Sequence, residues 1–290
     1  MPVTRDELVI DLSEPRGPAA ARACYAEHGL FIARGLLPAT LLDDIRREIR
    51  RLVELGHAAV GHPCPSAIRF DTGFAALHAV DPDVGESVFG ACRRLAAVHR
   101  LSVDKALLDL SARLMDTDMV MVPPYKPVRI DWASREDALL PWHQDYPYAQ
   151  DSPDGVVYWI PLDDVDQHNG CLRVIPGSHA DGVHPVEMIA STADVPIRGL
   201  RLPDDDALAC ERRPQLSLPM RAGEVLVLSA LLLHRSQPNT SGAVRWTVQV
   251  RHGNFANPTA LAKGWPRGHY EHHWFDESHP EHVLASPTSA

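Results

Sequence analysis

The sequence has no apolar run approaching the roughly 20 residues that a membrane-crossing helix needs. It also has no block of lysine and arginine that could track a phosphate backbone. The first absence argues against a membrane partner and the second against nucleic acid. Cysteine is sparse: Cys24, Cys64, Cys92, Cys171 and Cys210 are odd in number, far apart and never form a Cys-x-x-Cys pair. Such a pattern predicts neither a disulfide framework nor a thiolate zinc site, and it suits a reducing cytoplasm. The opening MPVTRDELVIDL carries acids and no apolar centre, so it does not read as a signal peptide. No internal repeat is visible.

What is present is ordinary for a globular protein with a sizeable core: 290 residues, 45% hydrophobic and 23% charged. This is enough chain for one large all-β or α/β domain or for two small ones. The net charge of −10 is spread along the chain rather than gathered in a tail. The Arg46-Arg47 and Arg50-Arg51 pairs alternate with carboxylates, as on the solvated face of a helix.

Residues 1–116 read as mostly helical. GPAAARACYAEH (17–28) predicts a short helix stopped by Gly29, and LFIARG a strand. Pro38 then opens a helix over 39–55 that Gly56 should end. In it Leu41, Leu42, Ile45, Ile49, Leu52 and Val53 keep a period near 3.6, so one face packs inward. Residues 57–83 read as irregular with a short strand at SAIRF, followed by helices at 84–98 and 102–115. From 117 to 252 the pattern turns to short strands: 117–133, broken at Pro123-Pro124, then 155–162, 171–175, 215–219, 224–228, 230–235 and 243–251. Turn residues separate them, which predicts a β sandwich or barrel with helices on one outer face. Within it, 180–213 is a long insertion, either a lid or a tolerated surface excursion. The extension 253–290 contains His269, His272, His273, His279 and His282, too loosely spaced to predict a metal site.

One stretch carries chemistry. His143 and Asp145 flank Gln144, and in extended backbone they project from the same face while Gln144 projects from the other. An imidazole and a carboxylate so placed, joined by a distant second imidazole, make the two-His-one-carboxylate triad that suits non-haem Fe(II). His234, closing the apolar run Val225 to Leu233, is the candidate for the third position. Alone, His-x-Asp is a weak signal. Its company is more telling: Asn169-Gly170-Cys171-Leu172-Arg173-Val174-Ile175-Pro176-Gly177-Ser178-His179 follows, then His234-Arg235-Ser236-Gln237-Pro238-Asn239, then Arg245. Asn169-Gly170 and Pro176-Gly177-Ser178 read as turns, with His179 not a ligand.

With the WHQD box at 142–145, these stretches resemble the phytanoyl-CoA dioxygenase family of Fe(II)/2-oxoglutarate-dependent oxygenases, in order and spacing from about Met119 to His252. The resemblance implies a double-stranded β-helix (jelly-roll, cupin-like) core in a mainly β fold with flanking helices, forming a single oxygenase domain over 1–290. It implies His143, Asp145 and His234 as metal ligands and catalytic centre. It also implies Arg245, eleven residues after His234, as the clamp on the distal carboxylate of 2-oxoglutarate, with Ser236 and Trp159 beside it. A planar guanidinium suits that task because it can bond a carboxylate through two parallel N–H donors. A second basic contact to the cosubstrate would come from Arg69 or Lys126. The expected cofactors are Fe(II), 2-oxoglutarate and O2. The expected reaction is hydroxylation of an aliphatic C–H with release of succinate and CO2. Related halogenases leave the Asp145 position small for chloride, so a carboxylate there favours hydroxylation.

The expected partner is a small molecule, polar or anionic, with Tyr146, Tyr148, Arg129 and Arg251, together with Trp132 and Asn254, as candidate contacts. Arg129 and Arg251 could equally be surface strand residues. A monomer and a homodimer both fit the sequence. Two other readings stay open: a cupin-like mononuclear metal enzyme that does not use 2-oxoglutarate, and a non-catalytic binding protein on the same fold.

Overall fold

The computed structural model describes residues 3–66, 73–124, 128–131, 139–189, 199–268 and 274–284. Arg69, Lys126, Trp132, His269, His272, His273 and nearly all of SAIRF lie outside them.

The helical part begins with strand β1 (Val9–Asp11), helix α1 (Gly17–His28) and strand β2 (Leu30–Arg34). Gly29 ends α1 in the left-handed region, φ 75°, and its lack of a side chain admits His179, whose Nδ1 would lie 2.4 Å from a Cβ there. Helix α2 (Ala39–Ala59) buries the expected stripe, Leu42, Ile45, Ile49 and Val53. It runs through Gly56 rather than stopping there. A Cβ at Gly56 would come within 2.6 Å of Leu77 Cδ2 and 2.9 Å of Val88 Cγ2, so this glycine admits two neighbouring helices.

Those neighbours are α3 (Phe74–Val80) and α4 (Pro82–Cys92). The first lies in the stretch expected to be irregular. It is a short apolar helix whose register is set by packing on α2, which a local pattern does not reveal. The second is capped by the Asp81 carboxylate accepting from Val84 N–H at 3.0 Å. The single helix expected over 84–98 is divided between α4 and α5 (Ala96–Ser102), before α6 (Lys105–Met115), capped in turn by Asp104.

The β region follows: β3 (Val120–Met121), β4 (Val128–Asp131), a one-turn helix α7 (Tyr146–Ala149), β5 (Val156–Pro161) and β6 (Arg173–Val174). The insertion holds a hairpin, β7 (Glu187–Ile189) with β8 (Gly199–Arg201), and helix α8 (Asp204–Arg212). Then come β9 (Leu216–Ser217), β10 (Val225–Ser229), β11 (His234–Arg235), β12 (Arg245–Asn254), and the short helices α9 (Pro258–Ala262) and α10 (Phe275–Ser278).

The major sheet runs β1-β2-β10-β5-β12-β3, with β4 also on β12; only β1 and β2 are parallel. A small sheet, β11-β6-β9, faces it. This curled sheet with helices outside is the β-helix architecture expected of the sequence.

Strand alternation explains how one sheet serves two cores. Phe31, Ala33, Tyr158, Ile160, Val225, Val227, Trp246 and Val248 face the helices. Leu30, Ile32, Val157, Trp159, Leu226 and Leu228 face the inside of the β-helix. Both faces are covered, so β5 and β10 read in sequence as unbroken apolar runs. Fully buried Trp246 packs edge-on to Phe74, ring centroids 5.3 Å apart, locking β12 to α3. Burying one such side chain contributes about 3 kcal/mol. A polar net adds register: Ser111 Oγ lies 2.6 Å from Tyr158 Oη and 2.8 Å from His252 Nδ1, joining α6 to β5 and β12.

Candidate metal centre and cosubstrate pocket

The backbone at His143 runs antiparallel to β11. His143 N–H donates to the His234 carbonyl at 3.0 Å, and His234 N–H to the His143 carbonyl at 3.1 Å. This reciprocal pair brings the two imidazoles together, centroids 4.2 Å apart. His143 and Asp145 share a face, and Gln144 turns the other way: its amide donates to the Gly182 and Leu231 carbonyls and accepts from His184 N–H. The Nδ1 atoms of His143 and His234 lie 2.8 Å from the Pro141 carbonyl and 2.9 Å from the Leu232 carbonyl. Each Nδ1–H donates outward, so each Nε2 lone pair points inward.

Ligand atoms of His143, Asp145 and His234 all lie within 4.8 Å of one another, and all three residues are buried. Burial, then the neighbouring His234, pushes His143 down to about 3. Burial likewise lowers His234, against the pull of Asp145. Burial alone would raise Asp145, but the charge and hydrogen bond of Arg251 outweigh it and hold the carboxyl well below its usual range. Two neutral imidazoles and an ionised carboxylate are the protonation state a divalent metal requires. The donor set therefore fits Fe(II) with positions left open for other ligands.

A cavity of about 210 Å3 opens beside this cluster, lined among others by Arg129, Tyr148, Trp159, Ser236, Arg245, Gln249 and Arg251. Arg245, Thr247, Gln249 and Arg251 alternate along β12, which places every second side chain on the cavity side. Arg245 is buried, with its guanidinium carbon 5.4 Å from the centre of the Trp159 ring. One of its terminal nitrogens pairs with the Asp131 carboxylate and the other donates to the Gly170 carbonyl. A planar cation so fixed between an indole and a buried acid still has N–H donors with which to meet a ligand carboxylate.

A sequence model of the phytanoyl-CoA dioxygenase (PhyH) family matches residues 25–247. The chain belongs to this family. It is 30% identical to the bovine (Bos taurus) peroxisomal phytanoyl-CoA dioxygenase over 253 residues, which are 84% of this chain and 69% of that one. It is 33% identical over 108 residues to the zebrafish (Danio rerio) phytanoyl-CoA dioxygenase domain-containing protein 1, a match spanning only 35% of that relative's length. Among solved structures, the epimerase SnoN in complex with Fe3+, alpha ketoglutarate and nogalamycin RO superposes with a TM-score of 0.56. That similarity covers 86% of this chain and 89% of SnoN at 19% identity, a likeness of fold. As a phytanoyl-CoA dioxygenase family member, the protein is a non-haem iron dioxygenase that uses 2-oxoglutarate and O2.

Within this family member the sequence-derived candidates divide. Trp159, Ser236, Tyr148, Arg129 and Arg251 all reach the cavity. Arg251 also donates from Nη2 to Asp145 Oδ1 at 2.9 Å and to Gln249 Oε1 at 3.0 Å. Tyr146 does not reach it. Its ring turns into the second core, edge-on to Phe275, and its hydroxyl lies 2.7 Å from His279 Nε2. The reason is α7: the chain enters a helical turn immediately after Asp145, so alternation of faces stops there and only Tyr148 returns to the cavity. Asn254 also points elsewhere, donating to Asp154 at 2.8 Å. His179 sits against Gly29 and the Ala26 carbonyl, away from the cluster. Among the described residues no second group of this kind could hold a metal.

The described part of the insertion supports the metal loop from behind. Trp142 Nε1 donates to Glu211 Oε1 of α8 at 2.9 Å, and Arg235 lies over the Trp142 ring. Leu202 and Cys210 complete a small apolar cluster with Trp142, Ile175 and Leu233. Both neighbours of His143 are thus anchored in residues 180–213.

Asp131 and Gln249 escaped the sequence reading. A signal existed: in VRID (128–131) Arg129 and Asp131 are the polar positions of an otherwise apolar alternation, which places both on the inner face.

Proposed function

We propose that His143, Asp145 and His234 hold Fe(II), that Arg245 with Ser236 grips the distal carboxylate of 2-oxoglutarate beside Trp159, and that the enzyme hydroxylates an aliphatic C–H of a small metabolite. The observation carrying this reading is the convergence of three buried donors within 4.8 Å, with both Nδ1 protons committed to backbone carbonyls. The net reaction takes substrate, O2 and 2-oxoglutarate to hydroxylated substrate, succinate and CO2. The metal and cosubstrate together supply the oxidant. The chain's own part is to position and to exclude water. Asp131 fixes the plane of Arg245, Trp159 covers its face, and Arg251 holds one oxygen of Asp145 so that the carboxylate presents a defined edge. Arg93 and Arg129 add positive charge to the cavity wall, which favours a polar or anionic substrate.

The chain is read as one oxygenase domain, since β1 and β2 of the helical part are strands of the major sheet. It would act as a monomer or homodimer in the cytoplasm, on no nucleic acid; no helix among the described residues is long and apolar enough to cross a membrane.

An anaerobic titration of metal-free protein with Fe(II) and then 2-oxoglutarate tests the assignment. The weak visible charge-transfer band of the chelate should appear, and should be lost in His143→Ala. Iron binding without the band would favour a metal enzyme that does not use 2-oxoglutarate. Absence of iron binding would remove the metal-centre reading.

A further inference from the structure

A second cavity, of about 280 Å3, lies across Arg251 from the metal centre. Arg251 is the one described residue that lines both. The walls of the second differ in kind: Pro123 and Pro124 after β3 form one side, and Phe255 and Trp265 form the other, with Arg267 at the rim.

Two features mark it as built rather than incidental. Trp265 is 43% exposed and Phe255 37%, yet both are held: Trp265 Nε1 donates to the Phe255 carbonyl at 3.0 Å, and the rings meet edge-to-face at 6.2 Å. Trp265 also adopts φ +52°, a backbone region that bulky residues rarely occupy and that persists only where the surroundings impose it. Gly268 seats the end of this segment on the metal loop, so closely that a Cβ would lie 2.2 Å from the Tyr148 carbonyl and 2.5 Å from that of Ala149. The aromatic wall is therefore braced against the turn that follows Asp145.

Size gives the cleft a purpose. The metal cavity, at about 210 Å3, is already below the roughly 300 Å3 at which ligand pockets usually begin. 2-Oxoglutarate would take part of that space. The neighbouring cavity, about 280 Å3, adds room beside it and offers a largely apolar surface with a tryptophan face. Arg267 is exposed at its rim, where its guanidinium can meet an acid, while the buried Asp151 carboxylate lines the same cleft. Phe255, Trp265 and Arg267 all lie beyond residues 25–247 matched by the family model.

We propose that this cleft binds the non-reacting body of the substrate, a molecule with an apolar ring and an acidic group. The ring would lie against Trp265 and Phe255 and the acid at Arg267, while the reacting carbon reaches past Arg251 to the metal. The inference rests on the hydroxylase reading above and names the substrate class for it.

Calorimetric titration of the full chain with three probes tests it: 3-phenylpropanoic acid, its neutral amide, and butanoic acid, which lacks the ring. Titrations are run on metal-free protein and, anaerobically, on protein loaded with Fe(II) and 2-oxoglutarate. The ring-bearing acid should bind at least tenfold tighter than either control. Trp265→Ala should remove the advantage of the ring, and Arg267→Gln, a surface change, should reduce the acid to the level of its amide. Circular dichroism and thermal midpoints check that both variants fold. Equal binding of all three probes, or tight binding that survives Trp265→Ala, would overturn the inference. So would a concentration-dependent dimer abolished by Trp265→Ala with no probe bound, since the aromatic wall would then be a contact between copies. The charge-transfer band of the loaded parent separates the two failures: band present without probe discrimination sinks the cleft alone. Band absent with discrimination intact in metal-free protein sinks the cofactor assignment and leaves the cleft standing.

Discussion

The cavity around His143, Asp145 and His234 is lined by ring nitrogens, a carboxylate and four arginines, whereas the cleft across Arg251 is walled by prolines, Phe255 and Trp265. In the first, the key polar groups are desolvated and tied in pairs: imidazole to carbonyl, Asp145 to Arg251, Arg245 to Asp131. Charges buried like this must be paired in fixed geometry or they cost more than they contribute. Such a site holds its shape before any ligand arrives, as transition-state electrostatics require. In the second region the contacts are mostly apolar and half-exposed, with Arg267 at the rim and Asp151 in the lining. They are carried by a segment resting on one glycine, which leaves ring shape and one surface charge to do the selecting. One region suits invariant chemistry and the other suits choosing a substrate.

The comparison can be broken at several points. Asp145→Ala or His234→Ala should abolish both Fe(II) binding and 2-oxoglutarate turnover, read by metal content and succinate release, while leaving binding of 3-phenylpropanoic acid within a few-fold of the parent. A joint loss would mean that the two cavities are one site.

Arg245→Ala leaves the buried Asp131 carboxylate with only Arg129, 3.7 Å away, and should cost up to about 3 kcal/mol of stability in denaturant melts, together with saturation by 2-oxoglutarate. Adding Asp131→Leu should recover most of the stability and none of the cosubstrate binding, which separates the structural from the chemical role of the pair.

Behind Tyr146, His279 offers a pH test. Burial, then Lys263, lowers it to about 4, against an ordinary value of 6.5. The folded protein keeps it neutral while the unfolded chain protonates it. Its contribution is therefore fully present above pH 6.5, falls as pH drops below that, and is exhausted by about pH 4. The shift caps the effect at about 3 kcal/mol. Urea melts from pH 7 to 4 should show a shallower loss in His279→Gln than in the parent.

Arg251→Lys should keep the fold and weaken Fe(II) affinity by roughly 10–100-fold, the usual effect of losing a partner to a metal ligand. An unchanged affinity would make Arg251 a wall residue only. Gly268→Ala should lower the thermal midpoint by a few degrees, since an added methyl in a tight seat costs about 1–3 kcal/mol. It should weaken the ring-bearing acid more than it weakens 2-oxoglutarate.

Much of the metal centre was legible because its signal is local. Two residues apart in extended backbone means one face, so His143 and Asp145 converge and Gln144 diverges whatever the rest of the chain does. The same alternation put Arg245 and Arg251 on one side of β12. Where backbone geometry changed, the reading failed: the helical turn after Asp145 carried Tyr146 into the core, and Gly56 continued a helix it was expected to end.

The sequence by itself determined the protonatable groups, their spacing and the run of strands that presents them. Only the tertiary structure decided that Asp131 would meet Arg245, that Arg251 would take Asp145, and that a segment past residue 253 would lean on the metal loop. Period and spacing act along a strand, where the backbone fixes direction. These pairings join residues far apart in the chain, and their partners are chosen by sheet register and by the need of each buried charge for a counterpart.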